Sequence, residues 1–184
     1  MARPIRLSDP LVTSEAIAAR VRELAEAVNR DYADGKGPLS VIVVLKGAVF
    51  FAIDLLKHIT VQTQVDFLQA SSYFGGTDSS GEVTLHKDIS MSIAGSDVLL
   101  IEDIVDTGLT ASWLRNHLAS HRPATVRLIT LLDKPDRRRV PVHIDYTGFI
   151  IPDAFVLGYG LDYDEGYRNL PAVYVAQPID DVHD

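Results

Sequence analysis

The sequence predicts a single α/β domain: a central parallel sheet flanked by helices, with further β structure toward its C-terminal end. Three observations carry this. The chain's 184 residues suit one domain with a real core and are short for two. Short β-branched runs alternate with segments of helical apolar spacing, the pattern of strand–helix–strand crossovers. At 47% hydrophobic residues, with only 12 Gly and 9 Pro, the composition is not that of a disordered chain.

The elements follow in order. Thr13 or Ser14 can cap a helix whose apolar stripe is Ile17, Val21, Leu24 and Val28, and Gly35 and Gly37 end it. Ser40–Leu45 is β-branched and too short for a helix, so it reads as a strand buried on both faces. Lys46-Gly47 interrupts it, and a helix is expected over Ala48–Ile59. Val65–Leu68 is the next strand. Residues 71–82 are polar, hold three glycines and are expected to form a long mobile loop, with Glu82–Leu85 as a return strand. Asp97–Ile101 is a second buried strand, followed by a helix over Leu109–Ser120 with Leu109, Trp113, Leu114 and Leu118 inward. Thr125–Leu132 is a third. Phe149–Ile151, Ala154–Leu157 and Ala172–Val175 complete a β-rich end.

Composition narrows the function. Without cysteine there is no disulfide framework, thiolate nucleophile or Cys-bound metal centre. A net charge of −8 argues against a general nucleic-acid binder. Nothing from Met1 to Asp9 resembles a signal-peptide core, and the apolar runs fall short of a bilayer span, so a cytoplasmic protein without a membrane partner is expected.

The richest segment is VLLIEDIVDTGLTAS, residues 98–112. A buried strand leads into Glu102 and Asp103, then Asp106, and Thr107-Gly108-Leu109-Thr110 opens a helix. Free N–H groups at a helix start form an anion site, and Gly108 lets a phosphate approach closely. Two adjacent carboxylates suit vicinal hydroxyls or a Mg²⁺ shared with substrate phosphates. Singly, Asp106 or Thr107 could be only an N-cap; together the three carboxylates, Gly108 and two threonines point to a site.

This segment resembles the ribose-phosphate motif of the type I phosphoribosyltransferases: an apolar strand, two acids, then D-T-G-x-T. Lys46-Gly47, Ser72-Tyr73, Lys134, Phe155-Val156 and the run from Asp162 to Arg168 occur in the order seen in hypoxanthine-guanine phosphoribosyltransferases, over roughly residues 40 to 175. The resemblance implies the type I phosphoribosyltransferase fold with a small β-rich hood, spanning residues 1–184 as one domain. It implies transfer of ribose 5-phosphate from 5-phosphoribosyl 1-diphosphate to a 6-oxopurine, hypoxanthine with guanine as second acceptor, releasing diphosphate. It also implies Mg²⁺ and a homodimer or homotetramer.

It further implies roles. Glu102 and Asp103 would hold the ribose hydroxyls and a Mg²⁺, and Thr107, Gly108, Leu109 and Thr110 the 5′-phosphate. Asp106 would accept a purine-ring proton. Lys46 and Gly47, following a Leu45–Lys46 peptide that can be cis, would meet the diphosphate with Ser72, Tyr73 and Arg168. Lys134 would donate to the purine 6-oxo group, Phe155 would stack on the base, and the Val156 carbonyl and backbone near Asp162 would read its edge. Asp162 could help hold a second Mg²⁺. Taken alone, Phe155 also reads as core, Lys46 as a surface turn, and Asp162, Asp164 and Glu165 as a solvated acidic turn. Arg137-Arg138-Arg139 reads as surface.

His117 and His121 are four apart on a helix but lack a third ligand in sequence, so no zinc is assigned. Three other classes share parts of this pattern. A receiver domain shares an acidic pair and a Lys-Pro such as Lys134-Pro135, but not D-T-G-x-T after the acids. A regulatory nucleotide-binding homologue would need a basic surface. A xanthine-preferring transferase would differ only where backbone reads position 2 of the base.

Overall fold

The computed structural model describes residues 5–35, 37–72 and 83–178. Six strands form one sheet in the order β4-β3-β2-β5-β6-β7. These are β2 (Leu39–Leu45), β3 (Thr63–Ser72), β4 (Val83–Lys87), β5 (Asp97–Val105), β6 (Thr125–Asp133) and β7 (Tyr146–Ile150). All neighbours are parallel except β3 and β4, an antiparallel edge pair. A second, antiparallel sheet joins β1 (Ile5–Val12), β9 (Val173–Pro178) and β8 (Val156–Leu157), and is the expected small β-rich hood.

Strand alternation divides the core in two. Val41 and Val43 of β2, with Leu99 and Ile101 of β5, face α1 (Ser14–Asp31) and α2 (Val49–Leu56). Ile42, Val44, Val98 and Leu100 face α3 (Leu109–Ser120) on the other side. Successive residues of a strand point to opposite faces, so a strand covered on both sides is apolar nearly throughout, as β2 is from Val41 to Leu45. The α1 stripe buries Ile17, Val21, Leu24 and Val28, and Thr13 accepts the Ala16 N–H at 3.2 Å as the N-cap.

Several boundaries differ from the expectation. On α3 the buried residues are Ala111, Leu114 and Leu118; Leu109 and Trp113 are only partly covered. Ser71 and Ser72 belong to β3, where Ser71 pairs with Thr84 and Ser72 with Val83. The rest of the expected loop, including Tyr73, lies outside the described residues. The strand β1, Ile5–Val12, carries no clear alternation in sequence.

The sheet changes direction between β2 and β5: from β2 the chain winds one way to β3, and β5 continues the other way to β6 and β7. Ligands of open α/β sheets bind beyond the strand ends at such a switch. Here β2 and β5 stay paired only from Ser40 with Val98 to Val43 with Ile101. Beyond Ile101, β5 runs on along β6 alone, Glu102 opposite Thr130 and Ile104 opposite Leu132. The two strands therefore part at Glu102, and the gap is the start of the site.

Candidate active site

Glu102 and Asp103 lie within β5, not past its end, because the strand runs to Val105. Glu102 is 5% exposed. Burial, with the Asp103 charge beside it, raises its carboxyl well above the ordinary range. Burial also raises Asp103, to about 6, against hydrogen bonds that include the Ile104 N–H at 2.7 Å and the attraction of Arg168. Two adjoining carboxylates with depleted water call for a cation or hydroxyl donors.

Gly47 crosses the gap to meet them. A Cβ on Gly47 would lie 1.6 Å from Asp103 Oδ2, so only glycine lets the Lys46-Gly47 turn pack on that carboxylate. The Leu45–Lys46 peptide is cis. Gly160, at φ +98°, presses on the same turn, its Cβ position 2.0 Å from the Gly47 carbonyl oxygen.

After Val105 the chain turns through Asp106 and Thr107 into α3. Gly108, at φ +83°, caps the helix in the left-handed region without a side-chain hydrogen bond. The Thr107 carbonyl accepts the Arg139 N–H at 2.9 Å and the Val140 N–H at 3.1 Å, fixing the turn from below. Thr107 Oγ1 accepts the Leu109 N–H at 3.4 Å. Free amides at a helix start beside the Thr110 hydroxyl make an anion cradle.

Two cavities meet here, sharing Glu102, Ile104 and Thr110. The first, about 480 Å³, is lined by Asp106, Thr107, Gly108, Lys134, Arg137 and Phe155 among others. Lys134 is 6% exposed and donates to the Ala154 carbonyl at 2.6 Å, while its own N–H donates to the Val105 carbonyl at 3.0 Å. An ammonium has three donors, and among the described residues the Ala154 carbonyl is the acceptor its Nζ reaches. Phe155 is 56% exposed over this cavity, edge-on to Tyr163 at 5.8 Å between ring centroids. Such exposure of a large aromatic beside a cavity speaks against the core reading. Val156 is buried in β8, paired with Val175.

The second cavity, about 410 Å³, is lined by Lys46, Gly47, Ser71, Asp103, Asp162, Glu165 and Arg168 among others. Arg168 Nη2 lies 2.9 Å from Asp162 and 3.3 Å from Glu165, and Nη1 donates to the Gly160 carbonyl at 2.7 Å. Lys46 Nζ reaches Glu165 at 2.9 Å. The Lys46 and Arg168 hydrogen bonds lower the Glu165 carboxyl below its ordinary range. Asp164 (φ +50°) and Glu165 (φ +63°) are the central residues of a tight two-residue hairpin closed by Tyr163 and Gly166. Asp162 therefore belongs to the second cavity with Arg168, not to the first with Lys134 and Phe155.

Arg137 is exposed, as the sequence reading has it, but at the edge of the site. It lines the first cavity, with Nε 3.0 Å from Asp106 Oδ1 and Nη1 3.3 Å from Asp153 Oδ1. Arg138 pairs with Asp133 and so is not a free surface cation either. The 3-10 turn Pro135–Arg137 folds the run back over the site. The sequence signal of Arg137 is its place two residues after Lys134-Pro135, across Asp136.

The chain is similar to known proteins over nearly its whole length. Residues 8–164 match the phosphoribosyl transferase domain family. A hypoxanthine-guanine phosphoribosyltransferase of Lactococcus lactis is 49% identical over 168 residues, covering 91% of this chain and 90% of that protein. A crystal structure of a hypoxanthine-guanine phosphoribosyltransferase of Bacillus anthracis, with a HEPES molecule in its active site, superposes with a TM-score of 0.86 at 42% identity, covering 95% of this chain and 99% of that one. The hypoxanthine phosphoribosyltransferase of Trypanosoma cruzi superposes with a TM-score of 0.88 at 41% identity, covering 94% and 92%.

Proposed function

The chain belongs to the phosphoribosyl transferase family, as a purine-salvage enzyme of its hypoxanthine-guanine branch, and from that premise we propose how its own residues divide the reaction. In that reaction the bond from ribose C1 to the diphosphate oxygen breaks, the bond from C1 to purine N9 forms, and the purine loses a ring proton. The observation that carries the division of labour is the pair of cavities joined at Glu102 and Thr110.

The first cavity takes the base and the 5′-phosphate. Lys134 points donors at the 6-oxo group; an exocyclic amine there would set donor against donor, which disfavours adenine. Phe155 covers the base, and the Val156 backbone reads its far edge. Asp106 accepts the ring proton, a role worth about 10²–10⁴ in rate. Arg137 Nε stands 3.0 Å from the Asp106 carboxylate as its ion-pair partner. The amides and hydroxyls of Thr107, Gly108, Leu109 and Thr110 hold the 5′-phosphate.

The second cavity takes the diphosphate, on Lys46, the Gly47 amide and Arg168. Arg168 and Lys46 then exchange their carboxylate partners for phosphate oxygens. Ser72 and Tyr73 are expected to join them. Glu102 and Asp103 hold the ribose hydroxyls, and their negative charge favours the positive ribose of the transition state.

A hard divalent cation fits this donor set. Glu102 and Asp103 are adjoining carboxylates pushed toward protonation by their surroundings, and Asp162 lines the same cavity. Mg²⁺ held there, directly or through water, would neutralise the diphosphate as it leaves. Hypoxanthine and guanine are the proposed acceptors; xanthine is the nearest rival. Among the described residues no helix is long and apolar enough to cross a membrane, and a cytoplasmic enzyme is the proposed setting. Exposed Phe50 and Ile53 on α2, and Val65 and Phe67 on β3, supply apolar surface for a dimer or tetramer.

Asp106→Asn tests the base assignment. It should leave the KM for 5-phosphoribosyl 1-diphosphate near that of the unmodified enzyme and lower kcat at least about tenfold. Unchanged turnover would sink the role.

A further inference from the structure

At the far end of α3 from the phosphate cradle, two histidines and an aspartate converge. His117 and His121 stand four apart, on the same face of the last turn and C-cap. The fold supplies the third donor that the linear sequence lacks: Asp88, which directly follows β4. His117 Nε2 is 2.8 Å from Asp88 Oδ1, His121 Nε2 is 4.0 Å from Asp88 Oδ2, and one ligand atom from each residue falls within 4.8 Å of the others.

We propose that Asp88, His117 and His121 form a binding site for a transition-metal cation of the Zn²⁺ class, separate from the catalytic centre. Ligand atoms on a tetrahedral Zn²⁺ with bonds near 2.0–2.1 Å lie about 3.3 Å apart, and the three atoms here already bracket that spacing. Imidazoles select Zn²⁺, Cu²⁺ or Ni²⁺ over Mg²⁺, so the catalytic cation does not compete for this site. A helix C-terminus adds favourable negative potential.

The three ligands are held before metal arrives. The Trp113 ring stacks on His117 at 5.1 Å between centroids and 4° between planes, and His121 lies edge-on to His117 at 5.1 Å. Asp88 Oδ1 accepts the Ile89 N–H at 2.8 Å. The neighbouring cation, Lys87, is turned to the Phe67 and Asp88 carbonyls and toward Asp66, away from a direct pair with the Asp88 carboxylate. When the metal enters, the proton between His117 Nε2 and Asp88 leaves that line for solvent or, in the other tautomer, for Nδ1. Three protein donors leave further positions to water. Bound metal would cross-link α3 to the chain following β4. The twelve residues of α3 put about 18 Å between this site and the phosphate cradle.

The test uses chelator-treated full-length protein in millimolar Mg²⁺, titrated with Zn²⁺ by calorimetry. One saturable site per chain is expected. His121→Ala and Asp88→Asn should each weaken it about tenfold or more while transferase turnover stays at the unmodified level. Cu²⁺ provides a local readout: Trp113 is the only tryptophan of the chain, and its fluorescence should be quenched at the same stoichiometry, with the quench lost in His121→Ala. Absence of saturable Zn²⁺ binding, or a binding curve unchanged in both variants, overturns the proposal.

Discussion

Gly47→Ala places one methyl group where the structure has no room. The backbone of Gly47 is not in the left-handed region, so alanine meets no conformational objection there. The objection is steric: the new Cβ would sit 1.6 Å from Asp103 Oδ2 and 2.7 Å from its Cγ. The oxygen must retreat by about 1.4 Å to reach even a 3.0 Å contact. Asp103 stands at the lip of the second cavity, so it can swing aside without disturbing the core. The stability loss should therefore stay near 1 kcal/mol, about 2–4 °C in Tm for a chain of this size. Activity is another matter, because displacing a positioning group by about 1 Å costs about 10²-fold. At 1.36 kcal/mol per tenfold, that is about 2.7 kcal/mol of transition-state stabilisation. Steady-state kinetics should show this fall in kcat/KM for 5-phosphoribosyl 1-diphosphate. The same substitution made on an Asp103→Ala background should cost less than about threefold, since the clashing carboxylate is gone. Undiminished kcat/KM in Gly47→Ala, or an equal penalty on both backgrounds, would refute the reasoning.

Other outcomes follow from the same geometry. Lys134→Ala should raise the KM for hypoxanthine at least about tenfold while leaving that for the ribosyl donor within about twofold, because Lys134 lines the first cavity and not the second; equal effects on both would contradict the proposed role. Asp66 accepts hydrogen bonds from the Phe67, Ser90 and Met91 N–H groups and from the Ser90 hydroxyl at 2.5–3.0 Å. Burial alone would raise its carboxyl, but these bonds hold it far below the ordinary range. A depressed folded-state value adds stability above the unfolded value near 4, lost as pH falls further. Asp66→Asn should thus lower Tm by about 4–12 °C at pH 7, with the gap to the unmodified protein closing below about pH 4; calorimetry across pH would show a constant gap if the reading were wrong.

What the sequence made legible follows from where signal is local. β2 and β5 announce themselves because burial on both faces demands unbroken apolar runs, and the phosphate turn does so because an anion cradle needs glycine and hydroxyls in fixed order. β1 gave no such sign: Ser8, Asp9 and Pro10 interrupt any alternation, and its pairing with β9 shifts register on both sides of Pro10. Glu102 looked like a residue beyond a strand end, whereas it marks the point where β5 leaves β2. The hairpin at Asp164 and Glu165 takes a left-handed turn without the usual Asn-Gly signal, which hid how Glu165 reaches Lys46. Arg137 and Asp106 are 31 positions apart, and their 3.0 Å approach depends on how β6 ends beside β5. Asp88 meets His117 across 29 residues in the same way. Each missed feature is a contact between distant segments, set by sheet order rather than by neighbouring residues.

The central claim is that the first cavity is built for a 6-oxopurine. Steady-state turnover with hypoxanthine, guanine, xanthine and adenine, each with 5-phosphoribosyl 1-diphosphate and Mg²⁺, measures it directly. Hypoxanthine and guanine should be converted, with adenine lower in kcat/KM by at least about 10³-fold, the scale set by a buried donor left facing a donor. Comparable use of adenine, or turnover of none of the four, would contradict the account.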